Sequence, residues 1–126
     1  MHREIGEEKL IAYVGRITPY KHIEDLLYAW RIVEKKVNDS RLVIAGRPDL
    51  KYLSKLIRLA RRLGLRKVLF RTNISHEEKL KILARAKAIV YTSIKEGWGQ
   101  TVMEAAICGT PTIAYNVPGL RDAIKH

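Results

Sequence analysis

The stretch EGWGQTVMEAA at 96–106 sets two carboxylates, Glu96 and Glu104, on either side of a loop built from Gly97, Trp98 and Gly99. Glycines let backbone approach a ligand closely. The N–H groups of Gly99, Gln100 and Thr101 stand where a helix opens, short of partners and suited to a diphosphate. A second loop, GRITPYKH at 15–22, brings Gly15 together with two cations, Arg16 and Lys21. Arginine offers phosphate oxygens a planar fork, and lysine a mobile point charge. The glutamates need not touch phosphate, because an ionised carboxylate accepts hydrogen bonds from vicinal hydroxyls. A diphosphate flanked by two polyhydroxyl rings, as in a nucleotide sugar, would occupy all of these groups. The plainer alternative makes Glu104 an early-helix acid favoured by the dipole and Glu96 a solvated loop residue.

The elements that must position these residues alternate. Short apolar runs at 10–14, 41–46, 68–71, 88–93 and 112–115 predict strands. Between them, 23–37, 50–64, 75–86 and 101–109 carry helical spacing. Ser75 with Glu78 three residues on predicts a capping box. A further helix is predicted to begin within GLRDAIKH at the end of the chain. This alternation predicts an α/β fold, a Rossmann-like parallel sheet of about five strands with helices on both faces. In such sheets ligands bind at the carboxyl ends of the strands, where the strand order reverses. For an order 3-2-1-4-5 the reversal lies between the first and fourth strands, which the loops at 15–22 and 93–101 follow.

The 126 residues suit one domain with its own core, and no apolar run approaches a membrane span. The start, MHREIGEEKL, has no apolar signal region, and one cysteine excludes an internal disulfide, which together predict a cytoplasmic setting. Cys108 is expected to be a small core residue rather than a catalytic thiol. Four Asn or Gln in the whole chain favour a thermophilic source. The net charge of +11 is concentrated at 51–71, with eight Lys or Arg and no acid. A solvated face, an anionic membrane and nucleic acid compete to explain it. Single-stranded nucleic acid is disfavoured, since no interleaved aromatic platform accompanies the run.

EGWGQTVMEAAICGTP resembles the E-G-F-G-x-x-x-x-E-A-x-x-x-G-x-P signature of retaining glycosyltransferases of family 4, which have the GT-B fold; Glu96 and Glu104 match its paired glutamates. GRITPYKH resembles that family's G-R-x-x-x-x-K-G diphosphate loop. RLVIAGRPD and VPGLRDAI look like its second strand and its late G-G-x-x-E segment. His22 stands where glycine is usual, Trp98 replaces Phe, Gln100 an apolar residue, Pro118 a glycine and Asp122 a Glu. Trp98 and Asp122 keep the chemistry, whereas His22 and Gln100 leave the donor open.

The resemblance implies one half of a GT-B fold, the nucleotide-sugar donor domain, spanning 1–126. Arg16 and Lys21 would stabilise the leaving nucleoside diphosphate. Glu96 would hold the transferred sugar and Glu104 the ribose, while backbone at Asn73 and Ile74 would edge the base. With no Asp-x-Asp in the chain, neither a bridging metal nor another cofactor is expected. The acceptor domain is expected outside these residues, in a longer protein or on a second chain, so the piece would be inactive alone. Two other readings stay open: a basic Rossmann-like module for nucleic acid or anionic membrane, and a nucleotide-sugar epimerase or phosphorylase of the same architecture.

Overall fold

The computed structural model describes residues 9–92 and 99–114, Gly99 by its backbone alone. Five strands form one parallel sheet: β1 (Lys9–Val14), β2 (Ser40–Gly46), β3 (Val68–Thr72), β4 (Ala88–Tyr91) and β5 (Thr112–Ala114). Their order is β3-β2-β1-β4-β5, so it reverses between β1 and β4 as predicted. The helices are α1 (Ile23–Lys36), α2 (Leu50–Arg62), α3 (His76–Arg85) and α4 (Gly99–Ile107), with a single 3-10 turn at Pro19–Lys21. Right-handed crossovers put α1 and α2 on one face and α3 and α4 on the other.

Local chemistry explains the boundaries. Asp49 caps α2 by accepting from the Tyr52 N–H at 3.1 Å. The capping box on α3 is complete, since Ser75 Oγ accepts from the Glu78 N–H and Glu78 Oε1 from the Ser75 N–H, both at 3.1 Å. Helix α1 lacks a side-chain cap of its own. Tyr52 of α2 supplies one, its hydroxyl accepting from the Ile23 N–H at 3.0 Å and donating to Glu24 Oε1 at 2.6 Å. Helix α4 opens at Gly99, two residues before the helix expected from the apolar spacing, and its opening N–H groups are those of the glycine loop.

The core lies on both sides of β1, β2 and β4, where Ala12, Leu42, Ile44 and Ile89 are fully buried beneath Leu27, Leu56 and Leu83 of the helices. Continuous apolar strands follow from having helices on both faces. Cys108 corrects the expectation of a core residue: it is exposed, because α4 has ended and the turn at 106–109 runs over the surface. The late segment VPGLRDAI, and with it the helix expected at the end of the chain, lies outside the described residues.

Candidate functional site at the carboxyl ends of the strands

A cleft of about 440 Å³ opens where β1, β2 and β3 end, beside the start of α4. It is lined by Val14, Gly15, Arg16, Gly46, Arg47, Asn73, Ile74, Lys79 and Thr101. Two larger grooves lie on the flanks of the sheet, one almost wholly apolar beside Trp30 and one beside Arg85. Of these three, the end cleft is the one that combines strand termini, a helix N-terminus and fixed cations among the described residues, the setting in which open α/β sheets bind ligands.

Its first wall is the loop after β1, held against the loop after β2. The Gly15 N–H donates to the Ala45 carbonyl, the Ile17 N–H to the Arg47 carbonyl and the Asp49 N–H to the Ile17 carbonyl, each at 2.9 Å. These bonds extend the parallel pairing past the strand ends to an Ile17–Pro48 bridge. Gly46 permits the approach: a Cβ there would stand 1.7 Å from the Gly15 carbonyl oxygen, and its φ of 151° disfavours any side chain. Two tyrosines buttress the same loop. Tyr13 donates to the Arg16 carbonyl and Tyr91 to the Val14 carbonyl, both at 2.6 Å, with their rings edge to face at 5.5 Å. Burial raises the Tyr91 hydroxyl pKa most, offset in part by a hydrogen bond with Thr101. Tyr91 thereby joins the end of β1 to the start of α4.

Lys21 sits differently from Arg16. It is 6% exposed and is not among the residues lining the cleft. Its ammonium lies 5.4 Å from the Tyr20 ring centroid, and its carbonyl accepts from Thr92 Oγ1 at the end of β4. Among the described residues no carboxylate pairs with Arg16, Lys21 or Arg47. His22, where the family resemblance leads one to expect glycine, has φ 56°. That is the left-handed region, which explains the usual glycine and which histidine visits more readily than most residues.

The far wall comes from Asn73 and Ile74 after β3, and from Lys79 and Thr101. Asn73 has φ 55° and its N–H donates to the Gly46 carbonyl at 3.3 Å. Glu104, one turn into α4, stands behind Lys79: Lys79 Nζ is 2.8 Å from Glu104 Oε1. Gln100 Nε2 and His76 Nε2 face Oε2 at 3.5 and 3.9 Å. The Lys79 ammonium beside it holds the Glu104 carboxyl below its ordinary pKa, burial opposing.

The cleft thus gathers Gly15, Arg16, Asn73, Ile74 and Thr101 of the expected residues, with Glu104 and Gln100 at its edge and Lys21 beneath the neighbouring loop. Glu96, Gly97 and Trp98 lie outside the described residues. Sequence reading missed Arg47 and Lys79. The RPD turn after β2 carried a signal for the first; Lys79 looks like any polar residue of a surface helix.

The sequence profile of the family described as glycosyl transferases group 1 matches residues 2–126. An uncharacterized glycosyltransferase of Methanocaldococcus jannaschii is 38% identical, over 98% of this chain and 32% of its own length. A D-inositol 3-phosphate glycosyltransferase of Mycolicibacterium smegmatis is 35% identical, over 94% of this chain and 27% of its own length. The chain therefore spans a third or less of the length of these curated relatives. Among solved structures, a variant of Staphylococcus aureus TarM, crystallised with Fondaparinux, α-GlcNAc-glycerol and UDP, superposes with a TM-score of 0.74 at 30% identity, covering 85% of this chain and 21% of TarM. On these matches, and on a sheet that agrees with them, the chain belongs to the glycosyl transferases group 1.

Proposed function

We propose that residues 1–126 are the donor-binding domain of a retaining, family 4 glycosyltransferase, which binds a nucleoside-diphosphate sugar for transfer of a hexose. The observation that carries this reading is the meeting of Arg16, Asn73, Ile74 and Thr101 in one cleft at the carboxyl ends of the strands. A TarM complex containing UDP supports it. When the bond between the sugar and the diphosphate breaks, its electron pair stays on the diphosphate oxygen. Arg16, Lys21 and the N–H groups opening α4 stabilise the charge that develops there. Glu96 holds the hydroxyls of the transferred sugar, Glu104 those of the ribose, and the backbone at Asn73 and Ile74 edges the base. Fixed cations take the role that a metal would otherwise have.

The acceptor domain belongs to the remainder of a longer protein or to a partner chain, and without it the piece binds donor but does not turn over. The setting is cytoplasmic and the source heat-adapted. The outer face of α2, with Lys51, Lys55, Arg58, Arg61 and Arg62 exposed, rests against an anionic membrane surface. Calorimetric titration with UDP, GDP and ADP at millimolar concentration tests the central reading. We expect weak binding of one of them. No heat from a folded sample with any of the three would remove the site.

A further inference from the structure

Lys79 reaches the cleft from α3 and pairs there with Glu104 of α4. Their side chains are only 21% and 16% exposed. A pair so far withdrawn from water differs from a surface ion pair of negligible worth; removing one member leaves the other charge uncompensated. The contact is also one-sided. Among the described residues, the Lys79 ammonium stands 2.8 Å from Oε1, an ion-pair contact at a buried oxygen that has no aligned hydrogen bond, whereas Oε2 meets Gln100 at 3.5 Å and His76 at 3.9 Å. The carboxylate is therefore anchored by charge through one oxygen, and among the described residues no donor stands closer than 3.5 Å to the other. Lys79, with three donors and no acceptor, cannot itself accept a hydrogen bond from a hydroxyl.

We propose that Lys79 is a positioning residue for ribose recognition: by gripping Oε1 it fixes the Glu104 carboxylate so that Oε2 is presented to the ribose hydroxyls of the bound nucleotide. The proposal rests on the assignment of Glu104 to the ribose made above. It also accounts for why a lysine on an otherwise ordinary helix lines this cleft. A carboxylate held in place before binding loses less freedom when the hydroxyls arrive, and so discriminates better between nucleotides with and without them.

The test is a set of titrations of the chain and of Lys79→Met, Lys79→Arg and Glu104→Gln. The probes are UDP and its 2′,3′-dideoxy analogue, or the GDP or ADP pair where that base binds more tightly. The unsubstituted chain should prefer the hydroxylated nucleotide and Glu104→Gln should lose that preference. Lys79→Met should lose most of it, a change of about tenfold or more, the scale of one hydrogen bond to a charged group. Lys79→Arg should keep most of it. Affinity for the dideoxy analogue should hardly change across the series, which a general loosening of the fold would not produce. Should Lys79→Met fail to fold by circular dichroism, Lys79→Gln carries the same comparison. If Lys79→Met keeps the preference while Glu104→Gln loses it, or if Lys79→Met binds UDP more tightly, the positioning role is overturned and the ribose assignment stands. If Glu104→Gln also keeps the preference, the ribose assignment itself falls.

Discussion

At the scale of the residue, the two cations expected to meet the diphosphate are not equivalent. Arg16 is exposed and lines the cleft, with no acid against it among the described residues. Lys21 is buried beside Tyr20, and its backbone carbonyl is bonded by Thr92. Arg16 is thus presented to a phosphate in the cleft, whereas the Lys21 side chain is withdrawn from solvent. We expect Arg16→Ala to weaken diphosphate binding by about 1.5–3 kcal/mol, the range for hydrogen bonds to charged groups. Lys55→Ala, on the outer face of α2 and only loosely paired with Glu24 at 3.9 Å, is the matching control and should leave binding unchanged. Isothermal titration of both variants with the preferred nucleoside diphosphate decides the matter. Equal losses in the two would mean that net charge, not this cleft, attracts the anion.

At the scale of the element, the cleft depends on the loops after β1 and β2 lying within hydrogen-bonding distance, and Gly46 is the position that allows it. A methyl group at Gly46 would collide with the Gly15 carbonyl, which is backbone and cannot rotate away. Gly64 offers the contrast: its φ of 73° is also left-handed, but nothing stands within 4 Å of a Cβ there. Gly64→Ala should cost about 1 kcal/mol, the penalty of the left-handed conformation alone, and spare nucleotide binding. Gly46→Ala should cost about 1–3 kcal/mol or more in urea unfolding, as overpacking does, and abolish binding by displacing Arg16. Binding retained by Gly46→Ala would show that the loop stapling is dispensable. The alternation of elements, the strand order and the Ser75–Glu78 box were legible in the sequence, because apolar period and capping chemistry are local signals. The predicted reversal of strand order put the loop after β1 and the start of α4 beside one another, and the family resemblance, not the spacing, pointed to Asn73 and Ile74, which line the same cleft. Arg47 and Lys79 were not: each enters the cleft through tertiary pairing of separate elements, which no spacing within one element records. The exposure of Cys108 was missed for the converse reason, since an apolar stretch does not reveal where the helix carrying it turns outward.

At the scale of the whole molecule, a net charge of +11 is far more than one diphosphate requires. The surplus is not spread evenly. Helix α2 buries Tyr52, Leu56, Leu59 and Ala60 against the sheet and turns Lys51, Lys55, Arg58, Arg61 and Arg62 outward. Leu50, at the start of that helix, is 72% exposed, which adds an apolar contact beside the basic row. A solvated face and a membrane-facing one share this composition but respond oppositely to lipid charge and to salt. Each basic residue held near an anionic surface contributes about 1 kcal/mol, and the attraction fades within a Debye length of about 10 Å at 0.1 M salt. We therefore expect the chain to sediment with phosphatidylserine-containing vesicles in low salt, to leave them as salt rises, and to ignore neutral vesicles. The triple substitution Lys55→Glu, Arg58→Glu and Arg62→Glu should abolish sedimentation while leaving nucleotide affinity intact, because none of the three lines the cleft. Equal recovery in the supernatant with anionic and neutral vesicles would assign the basic row to solvation, and the domain would then meet its nucleotide in free solution rather than at a charged surface.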